Sequence, residues 1–121
     1  MPETTRQALG RAAEQLAAAH LRGCGYTIEA VNARFPVGEI DIVARDGPTL
    51  CFVEVRSVSS RAWGGALASI TDGKRRRLIR AAQWYLARRR VFDETRFDVV
   101  SIEWTGQQPS VELVRSAFFA D

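Results

Sequence analysis

Two runs of aliphatic and β-branched residues, Gly38 to Arg45 (GEIDIVAR) and Leu50 to Val58 (LCFVEVRSV), stand on either side of Asp46, Gly47, Pro48 and Thr49. That arrangement predicts an antiparallel hairpin, and a hairpin constrains every side chain on it. Residue numbers across an antiparallel pair sum to a constant. If Arg45 faces Leu50, then Val43 faces Phe52, Asp41 faces Glu54 and Glu39 faces Arg56. These side chains share one face, and Ile40, Ile42, Ala44, Val53 and Val55 take the other. Both faces then need cover from a helix, except where the charges sit.

The covering helices are legible on either side of the hairpin. Thr4 to Gln7 offers an N-cap and capping box, and apolar residues recur at Leu9, Ala13, Leu16, Ala17 and Leu21 until Gly23 and Gly25 stop the helix. A second helix runs from about Thr71 or Asp72 to Arg90, with Leu78, Ala81, Ala82, Tyr85 and Leu86 as its apolar stripe. Short strands are expected at Tyr26 to Asn32, Arg96 to Trp104 and Val111 to Val114, a loop at Ala33 to Val37, another around Trp63, and an apolar tail at Ala117 to Ala120. The order is αβββαββ. A helix between the third and fourth strands makes that pair parallel, so the sheet is mixed.

At 121 residues the chain matches one domain, and 46% apolar with 26% charged residues is a globular composition. No apolar run is long enough to span a bilayer, and the amphipathic N-terminal stretch is unlike a signal peptide, so a cytoplasmic location without membrane contact is expected. Cys24 and Cys51 are expected as reduced, buried thiols. The single histidine, His20, reads as structural. Charge is distributed unevenly. Thr71 to Arg90 holds eight basic residues and one acid, whereas the rest of the chain has nine basic against thirteen acidic. Lys74, Arg75, Arg76, Arg77 and Arg80 therefore suit a polyanion, although a solvated helix face is the alternative. Lys74, the sole lysine beside sixteen arginines, lies on the stripe Lys74, Leu78, Ala81, Tyr85 and should face inward. Trp84, spaced with Arg77, Arg80 and Arg88, fits either a cation–π cluster or a nucleic-acid surface.

Asp41 opposite Glu54 requires compensation, because like charges directly across a ladder destabilise a sheet. A hard divalent cation, Mg²⁺ or Mn²⁺, would bind the two carboxylates and complete its shell with water and phosphate. Arg56, on the same face, would then meet the phosphate or its developing charge. The alternative is an ion-pair network of Glu39 with Arg56 and Asp41 with Arg45. Glu14 lies on the stripe Gly10, Glu14, Ala17, Leu21 at the edge of the first helix's apolar face, where Gly10 would allow close approach and a third carboxylate could reach the same cation.

Taken together, GRAAEQLAAAHL, NARFPVGEIDIVARDG, LCFVEVRS, WGGALASITDGKRRRLIRAAQWYLA and RFDVVSIEW resemble the YraN family of bacterial proteins over nearly the whole chain. That family is similar to the restriction-endonuclease-like superfamily, especially archaeal Holliday junction resolvases. The resemblance implies an α/β fold with an αβββαβ(β) core and a mixed central sheet flanked by helices. It also implies a metal-dependent nuclease whose site residues are Glu14, Asp41, Glu54 and Arg56, with Asp41 and Glu54 on the metal. Arg56 stands where the superfamily motif usually has lysine, and since arginine keeps its proton it can stabilise charge but not act as a base. The expected partner is nucleic acid, DNA in the first place, with a homodimer as an open option; a nucleic-acid-binding module with a vestigial site is the alternative.

Overall fold

The computed structural model describes residues 4–58, 70–89 and 94–120. Trp63 and Arg90 lie outside them. Helix α1 (Thr5–Gly23) begins at the expected capping box: the Thr4 hydroxyl accepts from the Gln7 N–H at 3.1 Å, and the Gln7 side chain accepts from the Thr4 N–H at 2.9 Å. Strands β1 (Thr27–Phe35), β2 (Gly38–Asp46) and β3 (Thr49–Val58) follow, then α2 (Asp72–Arg89), β4 (Glu94–Thr105) and β5 (Gln108–Phe118). One sheet holds all five strands in sequence order, antiparallel throughout except for the parallel pair β3/β4 that α2 bridges. The αβββαββ order and the mixed sheet are as read from the sequence.

Turn chemistry sets the hairpins tighter than the sequence suggested. Gly47 at φ +60 precedes Pro48, so two residues suffice to connect Asp46 with Thr49. The expected loop at Ala33 to Val37 is instead strand up to Phe35, with Pro36 and Val37 alone making the turn into β2. At the other end, Ala117 and Phe118 belong to β5 rather than to a tail.

Each helix covers one face. Under α1, Ala13, Ala17 and Leu21 pack on Ile42, Ala44, Cys51, Val53, Val100 and Ile102. Under α2, Leu78, Ala81 and Ala82 pack on Val43, Leu50, Phe52, Phe97 and Phe118. A row of rings crosses this second face, from Phe35 to Tyr85 (6.4 Å), Phe52 (5.9 Å from Tyr85), Phe97 (5.6 Å from Phe52) and Phe118 (4.8 Å from Phe97). Ile40, expected beside Ile42, joins the α2 cluster instead. The reason is that the β2/β3 ladder ends at Ile42 opposite Val53, beyond which β2 pairs with β1 alone and the alternation is no longer tied to β3. Leu9 and Cys24 are exposed, not buried. A side chain added at Gly10 would meet nothing within 4 Å, so the expected close approach is not made.

A polar network closes the end of the α1 face. Asp98, fully buried, accepts from Tyr26 Oη at 2.8 Å, from Arg96 Nε at 2.8 Å and from the Ser116 amide at 3.0 Å. Ser116 sits at φ +53 where the β4/β5 register shifts, so the carboxylate replaces a missing ladder acceptor. Burial pushes the Asp98 carboxyl up, but the hydrogen bonds from Arg96, Ser116 and Tyr26 outweigh it and hold it below the ordinary carboxylate range. Asp98→Ala removes the buried acceptor shared by Arg96 Nε, the Tyr26 hydroxyl and the Ser116 amide, leaving Arg96 with Asp46 alone as its acidic partner, and should lower stability by about 2 kcal/mol. Urea unfolding checks this as a fall in midpoint at unchanged slope.

Candidate functional site

The ending of the β2/β3 ladder creates the site. Where the next main-chain bond would form, the Asp41 side chain turns in and its Oδ2 accepts from the Val55 N–H at 2.8 Å. The strands separate there, and the adjacent Glu54, only 6% exposed, is left beside Asp41 on the α2 face. Helix α2 reaches over this opening. The Thr71 hydroxyl accepts from the Lys74 amide at 3.2 Å and the Thr71 carbonyl from the Arg75 amide at 2.9 Å, which starts the helix with Lys74 in its first turn. Lys74 Nζ lies 3.2 Å from Glu54 Oε1, and Arg56 Nη1 lies 3.7 Å from the same oxygen. A groove of about 220 Å³ runs between Gly38, Asp41 and Glu54 on the sheet and Lys74 and Arg77 on α2.

A half-buried carboxyl set against a buried one cannot ionise as cheaply as one in water. Burial, then the negative charge of Glu54, push the Asp41 carboxyl up to about 8, with Glu14 adding to the rise and the Val55 amide opposing it. Glu14 therefore does approach, from α1, close enough to act on Asp41 electrostatically. Its position is held by Asn32, whose Nδ2 donates to Glu14 Oε2 at 3.0 Å. Asn32 occupies the left-handed region at φ +50, which asparagine tolerates better than most residues.

The sequence-derived residues divide into those that converge and those that do not. Asp41, Glu54, Arg56 and Lys74 converge, with Glu14 near. Lys74, grouped with the arginines by charge, is turned into the carboxylates. Arg75 lies over the Phe118 ring, its guanidinium carbon 5.6 Å from the centroid and its Nε buried, so it packs rather than projects. Arg76, Arg77 and Arg80 are exposed along α2. Glu39 meets Arg34 at 3.9 Å. The guanidinium of Arg88 lies over Phe35 rather than over the exposed Trp84. Spacing does not single out Asn32 or the Val55 amide; an asparagine within a β-run is the one visible signal of the first, and a main-chain donor leaves none. Among the described residues no group of three or more His, Cys, Asp or Glu is arranged to hold a metal ion. No helix among the described residues is long and apolar enough to cross a membrane.

A mixed α/β fold carrying a carboxylate pair faced by two cations is the class these observations define. Residues 13–102 match the model of the uncharacterised protein family UPF0102, and the chain belongs to that family. It is similar over most of its length to UPF0102 proteins of several bacteria. That of Desulfosudis oleivorans is 47% identical over 117 residues, spanning 96% of this chain and 94% of the relative. That of Dechloromonas aromatica is 49% identical over 117 residues (97% and 93%), and that of Pseudomonas aeruginosa 44% over 115 residues (92% of each).

Because the folded state binds the Asp41 proton more tightly than the unfolded chain, its contribution to stability is fully present below about 3.8 and is lost as pH rises through about 8. The melting temperature should therefore carry a component that falls across that window. Asp41→Asn keeps an acceptor for Val55 and removes the repulsion, so this component should vanish and the variant should melt higher than the parent at pH 8. Thermal unfolding of both proteins between pH 4 and pH 9, in chelator, measures it.

Proposed function

We propose that the protein is a metal-dependent nuclease of the restriction-endonuclease-like kind, acting on DNA at the groove between β2, β3 and α2. The observation that carries this reading is the half-buried Asp41 set beside the buried Glu54, with its carboxyl shifted upward, a pair of hard oxygen donors whose mutual repulsion a divalent cation would relieve. Two protein carboxylates suit Mg²⁺ or Mn²⁺, which keep water and substrate phosphate for their remaining positions. A bound ion of this kind supplies Lewis-acid polarisation of the phosphate and a water of lowered pKa.

The chain's own residues divide the remaining work. Asp41 and Glu54 hold the ion, and Glu14 assists across the opening, directly or through water. Water attacks phosphorus and loses a proton to solvent, the bond from phosphorus to the leaving oxygen breaks, and that oxygen takes up a proton from solvent. Lys74, beside Glu54 at 3.2 Å, sets a positive charge at the edge of the groove where the phosphate would lie. Arg56 stays charged and opposes the negative charge that grows on the phosphoryl oxygens. Arg76, Arg77 and Arg80, exposed along α2, face the backbone of the nucleic acid.

A second reading rests on the same ion pairs. Lys74 and Arg56 already face Glu54 Oε1, which also suits a nucleic-acid-binding module whose carboxylates are neutralised by side chains. Cleavage of plasmid and four-way-junction DNA in Mn²⁺ separates the two. The nuclease reading expects cleavage that Asp41→Asn lowers about a hundredfold or more while low-salt binding persists; binding without cleavage in any divalent metal favours the module. Under either reading, Arg76→Glu with Arg80→Glu should weaken binding to all sequences and reduce the slope of log affinity against log salt by about one for each phosphate no longer neutralised. Titration of labelled DNA at several salt concentrations reads that slope.

A further inference from the structure

Away from the carboxylates, a second cleft of about 350 Å³ opens between the end of β1 and the C-terminal half of α2. Its walls are aromatic and its rim is cationic. Phe35 and Tyr85 meet edge to face, with ring planes at 86°, and the Arg88 guanidinium carbon lies 5.3 Å from the Phe35 centroid. Tyr85 is held in place by Glu29, which accepts from its hydroxyl at 2.9 Å and pairs with Arg89. Glu29 can do this because it is the extra residue where the β1/β2 register shifts between Ile28 and Ala30, and a bulge re-aims the side chain it carries. Arg89 is thus neutralised, whereas Arg34, 81% exposed, has Glu39 no nearer than 3.9 Å. Arg34 and Arg88 leave the cleft positive.

We propose that this cleft is a subsite for an unpaired nucleotide of a nucleic-acid strand, its base stacking against the Phe35–Arg88 pair and its phosphate meeting Arg34 and Arg88. Bases stack on aromatic rings and on guanidinium planes alike, and every base has such a face. A guanidinium fork recognises phosphate in bidentate fashion. Helix α2 links the subsite to the carboxylate groove: Lys74 in its first turn and Arg88 near its end stand about 21 Å apart along the axis, or about six nucleotides of a duplex strand. The substrate is accordingly a duplex with a single-stranded tail, with duplex near the carboxylates and the tail in the cleft. This deepens the nuclease reading and rests on its premise that nucleic acid is bound.

The test is binding in chelator, so that cleavage does not enter. Fluorescence anisotropy compares a blunt duplex, the same duplex with a short oligothymidine tail, and one with an abasic tail of equal length. The thymidine tail should raise wild-type affinity about tenfold or more, and the ratio of tailed to blunt affinity should fall to about one in Phe35→Leu, which keeps an apolar side chain, and in the exposed variant Arg88→Gln, which is safe for folding. Blunt duplex bound with a wild-type ratio near one overturns the subsite and leaves the nuclease reading standing. A ratio retained in both variants, or an abasic tail as effective as thymidine, also overturns it. Failure to bind any of the three probes overturns the subsite and the nucleic-acid reading together.

Discussion

The bond from the Val55 amide to Asp41 Oδ2 is where the sheet stops being only a scaffold. A side-chain carboxylate takes the place of a ladder carbonyl, so the main chain is satisfied although β2 and β3 part. The parting then leaves Asp41 and Glu54 side by side under α2, with Glu14 of α1 near enough to act on Asp41. Everything proposed for the groove depends on that substitution. Without it the ladder would continue and the two side chains would oppose each other on a closed sheet.

Asp98 uses the same device for a different end. It too accepts from a main-chain amide, that of Ser116, where a ladder shifts register. Its charge, however, is met by Arg96 and by the Tyr26 hydroxyl, and Arg96 also bonds Asp46 at the β2/β3 turn. The consequence is opposite: Asp98 is held below the ordinary carboxylate range while Asp41 is driven above it. Donors surround the first and another carboxylate abuts the second. This difference makes one aspartate a structural staple and is why the other was proposed as a metal ligand.

Helix α2 presents four different sets of side chains because its faces differ. Leu78, Ala81 and Ala82 bury against the sheet. Lys74 turns into the carboxylates, and Tyr85 and Arg88 line the second cleft. The arginines Arg76, Arg77 and Arg80 remain outward. A count of positive charge on this segment is therefore a poor guide to its chemistry, since Lys74 and Arg75 are engaged with Glu54 and Phe118.

Local pattern alone determined the elements and their order. A capping box, a glycine stop, a Gly-Pro turn and the alternation on either side of it all act between near neighbours, so the hairpin pairing of Val43 with Phe52 and the inward stripe of Lys74 were legible from spacing. What spacing could not state is where a ladder ends. That depends on the twist of β1 against β2 and on the helix above, and it moved Ile40 to the other core cluster and brought Asp41 onto Val55. Nor could it show that Phe118 would close the aromatic row, or that a bulge would aim Glu29 at Tyr85, because both pairings join residues far apart in the chain. The titration of Asp41 belongs to the tertiary structure for the same reason: an aspartate has an ordinary pKa until elements distant in sequence remove its water and set a second carboxylate beside it.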